Sequence, residues 1–299
     1  MNDPIDETSV VSVDGTDHRI TLRGADCGNT ALLIVGTPGM AFSAFADHFT
    51  PWERHFTLVQ WDQPGVGAGP LTFGRLARDG IVVAEAARRR LSAPKIVLLA
   101  ISGGTITGLK MIRARPDVFP AYVGTGQIVN WARQDDLSYR LVLDRARAMG
   151  DEAGVSELKR IGPPPYAALE GHIVKSRYAG APTAAEQTAF AAAMGTMPPA
   201  DAEVLRNKVT AAFDAVRAEI TSFDADSLGL GFDVPMIFLQ GAEDLYHVTS
   251  EVESYAARLT APRKHLDLIP AAGASAVFLR EAFLDLLLRH LPPDGRSGG

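Results

Sequence analysis

The chain has 299 residues, 46% of them hydrophobic, with 29 Lys and Arg against 35 Asp and Glu for a formal net charge of -6. That is enough apolar material for one large α/β domain or two smaller ones, while the charge, spread along the chain, offers no basic face and argues against nucleic acid as a partner. Cys27 is the only cysteine, which excludes an internal disulfide and a thiolate metal cage and leaves it as a small apolar filler.

The N-terminal "MNDPIDETSVVSVDG" is acidic and lacks a basic segment followed by an apolar one, so no signal peptide is expected and the cytoplasm is the expected location. No apolar run approaches the roughly 18 residues of a membrane span. Short apolar runs follow in order: "HRITLRG", "ALLIVG", "FTLVQWD", "KIVLLAIS" and "AYVGTGQ", and much later "PMIFLQG" and "HLDLIP". Amphipathic helical spacing in "VVAEAARRRL" and "TITGLKMIRARP" brackets one of them, which predicts a mostly parallel sheet with helices on both faces. Between residues 128 and 233 the strand signal gives way to Ala-rich helical segments broken at "GPPPY" and "MPPAD". The predicted organisation is therefore an α/β core of residues 1–127 and 234–299 with a helical cap, 128–233, inserted in it. The tail "PPDGRSGG" reads as a frayed end.

The strongest chemical signal is "KIVLLAISGGTITGLKM", a strand, then Ser102, two glycines and a helix. Such a sharp turn lifts a serine side chain above the sheet as a nucleophile, with small residues where the backbone is crowded. Ala100 stands at the first small position and Gly104 at the last. The Gly103 N–H, at a helix N-terminus, is a candidate oxyanion donor, and the turn "IVGTPGM" with Gly36, Thr37, Pro38 and Gly39 could supply another. Asp244, beyond the strand of "PMIFLQGAEDLYHVTS", lies at the same sheet edge. The chain order nucleophile, acid, histidine then predicts a histidine after the last strand.

Nearly the whole chain resembles the proline iminopeptidase-like branch of α/β hydrolases, through "GTPGM", "WDQPGVG", "SGGTITGLKMIRARPDVFPAYVGTGQ", "GPPPY", "FLQGAEDLY" and "FLDLLLRHL". The resemblance implies that Ser102 attacks an acyl carbonyl, that Asp244 is the acid, that the glycine-proline loop binds the oxyanion, and that a helical cap shapes the substrate pocket. The sequence also departs from the family pattern. Val35 stands where a histidine usually precedes the loop glycine, Pro64 where an arginine is usual, Gly103 where tryptophan follows the nucleophile, and Ala274 in "PAAGAS" at the histidine position itself.

Alanine cannot take a proton, so the sequence predicts a serine hydrolase of small peptide-like amides or esters, acting through an acyl-serine and impaired by loss of its general base. Retention of Ser102, Asp244 and the oxyanion glycines fits a histidine replaced by design, whereas Val35, Pro64 and Gly103 fit a natural departure from hydrolysis. The alternative is a non-hydrolytic protein that uses the cap pocket for binding, rearrangement or cyclisation of a small molecule. His247, three residues after Asp244, reads as a solvated loop residue. His18, His48, His55, His172, His265 and His290 show no ligand spacing, and neither metal nor cofactor is expected. Glu170, Glu186, Asp201 and Glu203 could each meet a free amino end from the cap, and each is expected at the solvated helix surface.

Overall fold

A computed structural model describes residues 3–67 and 69–291; the tail "PPDGRSGG" lies outside them. One sheet of eight strands runs in the order β1-β2-β4-β3-β5-β6-β7-β8. β1 (Ile5–Val13) and β2 (Thr16–Gly24) form an antiparallel hairpin, and β2 pairs antiparallel with β4 (Phe56–Asp62). From β4 onward every pairing is parallel, through β3 (Thr30–Val35), β5 (Val97–Ile101), β6 (Tyr122–Thr125), β7 (Met236–Gly241) and β8 (Lys264–Ile269).

The two-residue period of a strand sorts the central side chains to opposite faces. Leu33, Val35, Leu98 and Ala100 join one core cluster with residues of α1 (Phe73–Leu91), α2 (Gly104–Ala114) and α8 (Thr249–Arg258). Leu32, Ile34, Leu99 and Ile101 join another with the 3₁₀ stretch Phe42–Arg54 and α9 (Arg280–His290). Burial on both faces is why these strands read as continuous apolar runs. β1 escapes such a reading because its side chains are only half-buried or exposed, as suits a sheet edge.

Five α-helices separate β6 from β7: α3 (Trp131–Ala148), α4 (Glu152–Ile161), α5 (Leu169–Ala179), α6 (Ala184–Gly195) and α7 (Pro199–Thr221). Their starts follow local chemistry. Side chains of Asn130, Asp151 and Thr183 accept the N–H of Arg133, Gly154 and Glu186, and Pro199 opens α7, where its missing N–H costs nothing. "GPPPY" falls between α4 and α5. Among the described residues no helix is long and apolar enough to cross a membrane.

Candidate active site

Ser102 follows β5 directly and holds φ at +52°, a left-handed conformation that an L residue with a Cβ adopts only under constraint. The constraints are visible: its N–H donates to the Thr125 carbonyl at 3.0 Å, and its own carbonyl accepts from Thr105 Oγ1 at 2.6 Å. A Cβ on Gly104 would lie 2.1 Å from the Val35 carbonyl oxygen, so only glycine lets α2 start this close to β3.

Ser102 has an imidazole partner. Its Oγ lies 3.0 Å from Nε2 of His247, and His247 Nδ1 lies 2.9 Å from Asp244 Oδ2. This corrects the expectation that His247 is a solvated loop residue, since it is only 3% exposed. It also puts an imidazole within hydrogen-bond reach of Ser102 although position 274 is alanine. The physical reason is the turn after β7. Asp244 Oδ1 accepts the N–H groups of Tyr246 and His247, each at 2.8 Å, and folds the chain back on the carboxylate. Residue 247 is thereby brought within reach of the other oxygen, and a spacing of three is sufficient.

The remaining contacts hold this turn in place. Gln240 Nε2 donates to Asp244 Oδ2 at 2.7 Å, and Gln134 Nε2 donates to the His247 carbonyl. Val248 leaves the turn at φ +52°, a strained conformation for a β-branched residue. Gly126, at φ +54°, floors the imidazole: a Cβ there would lie 2.8 Å from His247 Cε1. Asp244 is 2% exposed. Burial alone would raise its pKa, but the charge and hydrogen bonds of His247 and the N–H of Tyr246 outweigh that and hold it below the ordinary carboxylate value.

Ala274, expected where the histidine should be, reaches the same cavity as Ser102 and His247 through the loop after β8. That loop is fastened to α6. Glu186 Oε1 accepts the Ser275 N–H at 2.5 Å, and Thr183 Oγ1 donates to the Ala271 carbonyl at 2.6 Å. Glu186 is fully buried, unlike the surface residue expected, because Gly273 has no side chain to keep it out: a Cβ there would lie 2.9 Å from Glu186 Oε2. Burial, chiefly, pushes its carboxyl up to about 7. Glu170, Asp201 and Glu203 are exposed, as expected.

Thr37 and Gly103 line the cavity floor beside Ser102, and a Cβ on Gly103 would lie 3.4 Å from Thr37 Cα. Gly36 lies behind them, with its carbonyl bound by Gln63 Nε2 at 2.5 Å. The cavity holds about 340 Å³. Its walls are chiefly apolar, with Met40, Phe42 and Ile101 from the core and Trp131, Phe190 and Phe213 from the helices between β6 and β7, and among the described residues no carboxylate side chain lines it. Among the described residues no group of His, Cys, Asp and Glu could hold a metal ion.

No family model matches the sequence. The probable aminopeptidase YbaC of Bacillus subtilis is 26% identical over 174 residues, 55% of this chain and 55% of the relative, so the chain spans about half the length of the curated relative it matches. Among solved structures, the proline iminopeptidase-related protein of Thermus thermophilus superposes with a TM-score of 0.65 at 18% identity, covering 96% of this chain and 97% of that one. An esterase from a Rhodococcus species does so at 0.63 and 15% identity, over 95% and 98%. The likeness along almost the whole length establishes the α/β-hydrolase fold expected from the sequence.

Proposed function

We propose that the chain is a serine hydrolase of small, apolar esters, with Ser102 as nucleophile, His247 as general base and Asp244 as its orienting acid. The observation that carries this reading is the continuous row from Ser102 Oγ through the His247 ring to Asp244 Oδ2, at 3.0 and 2.9 Å. An Asp244 carboxylate held ionised keeps the imidazole proton on Nδ1 and leaves the Nε2 lone pair facing Ser102.

In the proposed cycle the Ser102 hydroxyl proton passes to His247 Nε2 as Oγ bonds to the substrate carbonyl carbon. The carbonyl π electrons move to oxygen, where the Thr37 and Gly103 N–H groups receive the charge. Collapse of the tetrahedral intermediate breaks the ester C–O bond, and the alkoxide takes the proton from His247. Water, giving its proton to the same nitrogen, then attacks the acyl-serine, and Oγ leaves with that proton. Residues 128–233 act as the cap that keeps bulk water from the cavity.

Esters are favoured over peptides with a free amino end because among the described residues the cavity wall carries no carboxylate to meet an ammonium group. The family resemblance and the aminopeptidase and esterase relatives agree with hydrolysis at large, and the wall chemistry selects the ester. The test is labelling with a fluorophosphonate and turnover of p-nitrophenyl butyrate. The native chain should show both and Ser102→Ala neither. A native chain that takes up no label and turns over no ester would instead be a non-hydrolytic pocket.

A further inference from the structure

His172, on α5, lines the same cavity and is only 4% exposed. Its ring is fixed by Tyr166, Phe213 and Trp131, at centroid distances of 4.9, 5.5 and 5.9 Å. Among the described residues neither ring nitrogen has a hydrogen-bond partner. Nδ1 is sealed from solvent, 3.9 Å from Asp135 Oδ2, which leaves Nε2 as the nitrogen presented to the cavity. The sealed Nδ1 is out of a ligand's reach, so Nε2 is the nitrogen through which this ring can meet one.

The surroundings decide what kind of partner fits. Asp135 is buried and bonded by Lys175, one turn after His172 on α5. Burial pushes the His172 pKa below its ordinary value; Asp135 opposes this, and the charges of Lys175 and Arg217 reinforce it, so the ring is neutral at neutral pH. A neutral imidazole with a carboxylate facing Nδ1 keeps its single proton there. Its Nε2 then offers a lone pair to the cavity.

Building on the hydrolase reading above, we infer that His172 is a specificity-determining residue whose Nε2 accepts a hydrogen bond from a hydroxyl or amide N–H carried by the substrate away from its scissile carbonyl. The preferred ester is thus apolar along most of its length with one donor at a fixed distance from the carbonyl. A site built to accept that bond discriminates against the analogue lacking the donor.

Calorimetric binding to Ser102→Ala, in which turnover cannot interfere, tests this with p-nitrophenyl esters of four- to eight-carbon acids ending in methyl, hydroxyl or primary amide. At one chain length the hydroxyl or amide form should bind at least about tenfold tighter than the methyl form, and whichever prevails identifies the donor. His172→Phe, which keeps an aromatic ring in the same packing, should abolish the preference, and His172→Gln, which keeps an acceptor, should retain part of it. Absence of a preference at every length, including absence of binding, overturns the assignment, as does a preference that survives in His172→Phe. Should His172→Phe fail to melt as a folded protein, His172→Gln and the Ser102→Ala series decide. Because binding is read without chemistry, a donor preference in a chain that hydrolyses nothing fails only the hydrolase reading. Turnover without a donor preference fails only the His172 assignment.

Discussion

Two neighbouring loops leave the same edge of the sheet, one after β7 and one after β8, and they differ in what their carboxylates do. In the β7 loop Asp244 spends both oxygens on its own turn, so that acid and imidazole come from residues three apart. The β8 loop, where the chain order of the resemblance puts the histidine, carries Ala274 and receives its carboxylate from α6, where Glu186 binds the Ser275 amide. One loop holds an imidazole against Ser102 and the other is held by α6. In the proposed triad the imidazole thus comes from the β7 loop, and the β8 loop beside it is given over to contacts with α6.

The sharpest way to break this comparison is to remove the imidazole. His247→Ala should lower kcat for p-nitrophenyl butyrate by about 10⁴-fold with the fold intact. Adding Ala274→His to that variant should recover less than about tenfold, because the loop backbone beside position 274 is committed to Glu186. Larger recovery would mean that the two loops are interchangeable, and an unchanged kcat in His247→Ala would remove the triad altogether.

A smaller effect is expected from the glycine beneath the ring. Gly126→Ala puts a Cβ 2.8 Å from His247 Cε1 at a φ of +54°. A ring displaced by even 1 Å should cost about 10- to 100-fold in kcat, read by steady-state kinetics. If the alanine form is as active as the native chain, the ring does not need that floor.

The smallest effect belongs to the β8 loop. With its carboxyl raised from an ordinary 4.5 to about 7, Glu186 keeps its proton in the folded chain over a pH window in which the unfolded chain has already lost it. The unfolded state binds fewer protons there, so the stability that Glu186 contributes is fully present below about pH 4.5 and declines as pH rises toward 7, by on the order of 2 kcal/mol. Glu186→Gln cannot titrate and should lack this decline. Its Tm relative to the native chain should rise between pH 5 and pH 8 by on the order of 5 °C in thermal melts. A constant difference would show that Glu186 ionises normally.

How much of this is legible in the sequence depends on whether the cause is local. β3, β5 and β7 are buried on both faces and announce themselves as apolar runs, whereas β1, at the edge, has no such run. The positions of Ser102 and Asp244 at strand ends follow from the strand, glycine and helix signals around them. His247 does not, because "EDLYH" becomes a turn around the Asp244 carboxylate only through backbone N–H groups that composition leaves unspecified. The burial of Glu186 is equally hidden, since it depends on a side chain missing from Gly273, 87 positions away.

The separations of the hydrogen-bonded residues carry a last consequence. His247 and Asp244 meet across three positions, whereas Ser102 and His247 meet across 145. Joining acid to imidazole closes a loop of almost no length, and the entropic cost of assembly falls nearly all on the docking of one short segment against the strand end that bears Ser102. None of the three residues lies beyond position 247, but the N–H groups of Ala242 and Glu243 donate to the Ile269 and Ala272 carbonyls at 3.0 and 2.8 Å, so the Asp244 turn leans on the edge formed by β8. Amide protons of Lys264–Ile269 should then exchange with solvent only when the Asp244 turn loosens too, and loss of the C-terminal edge should coincide with loss of turnover.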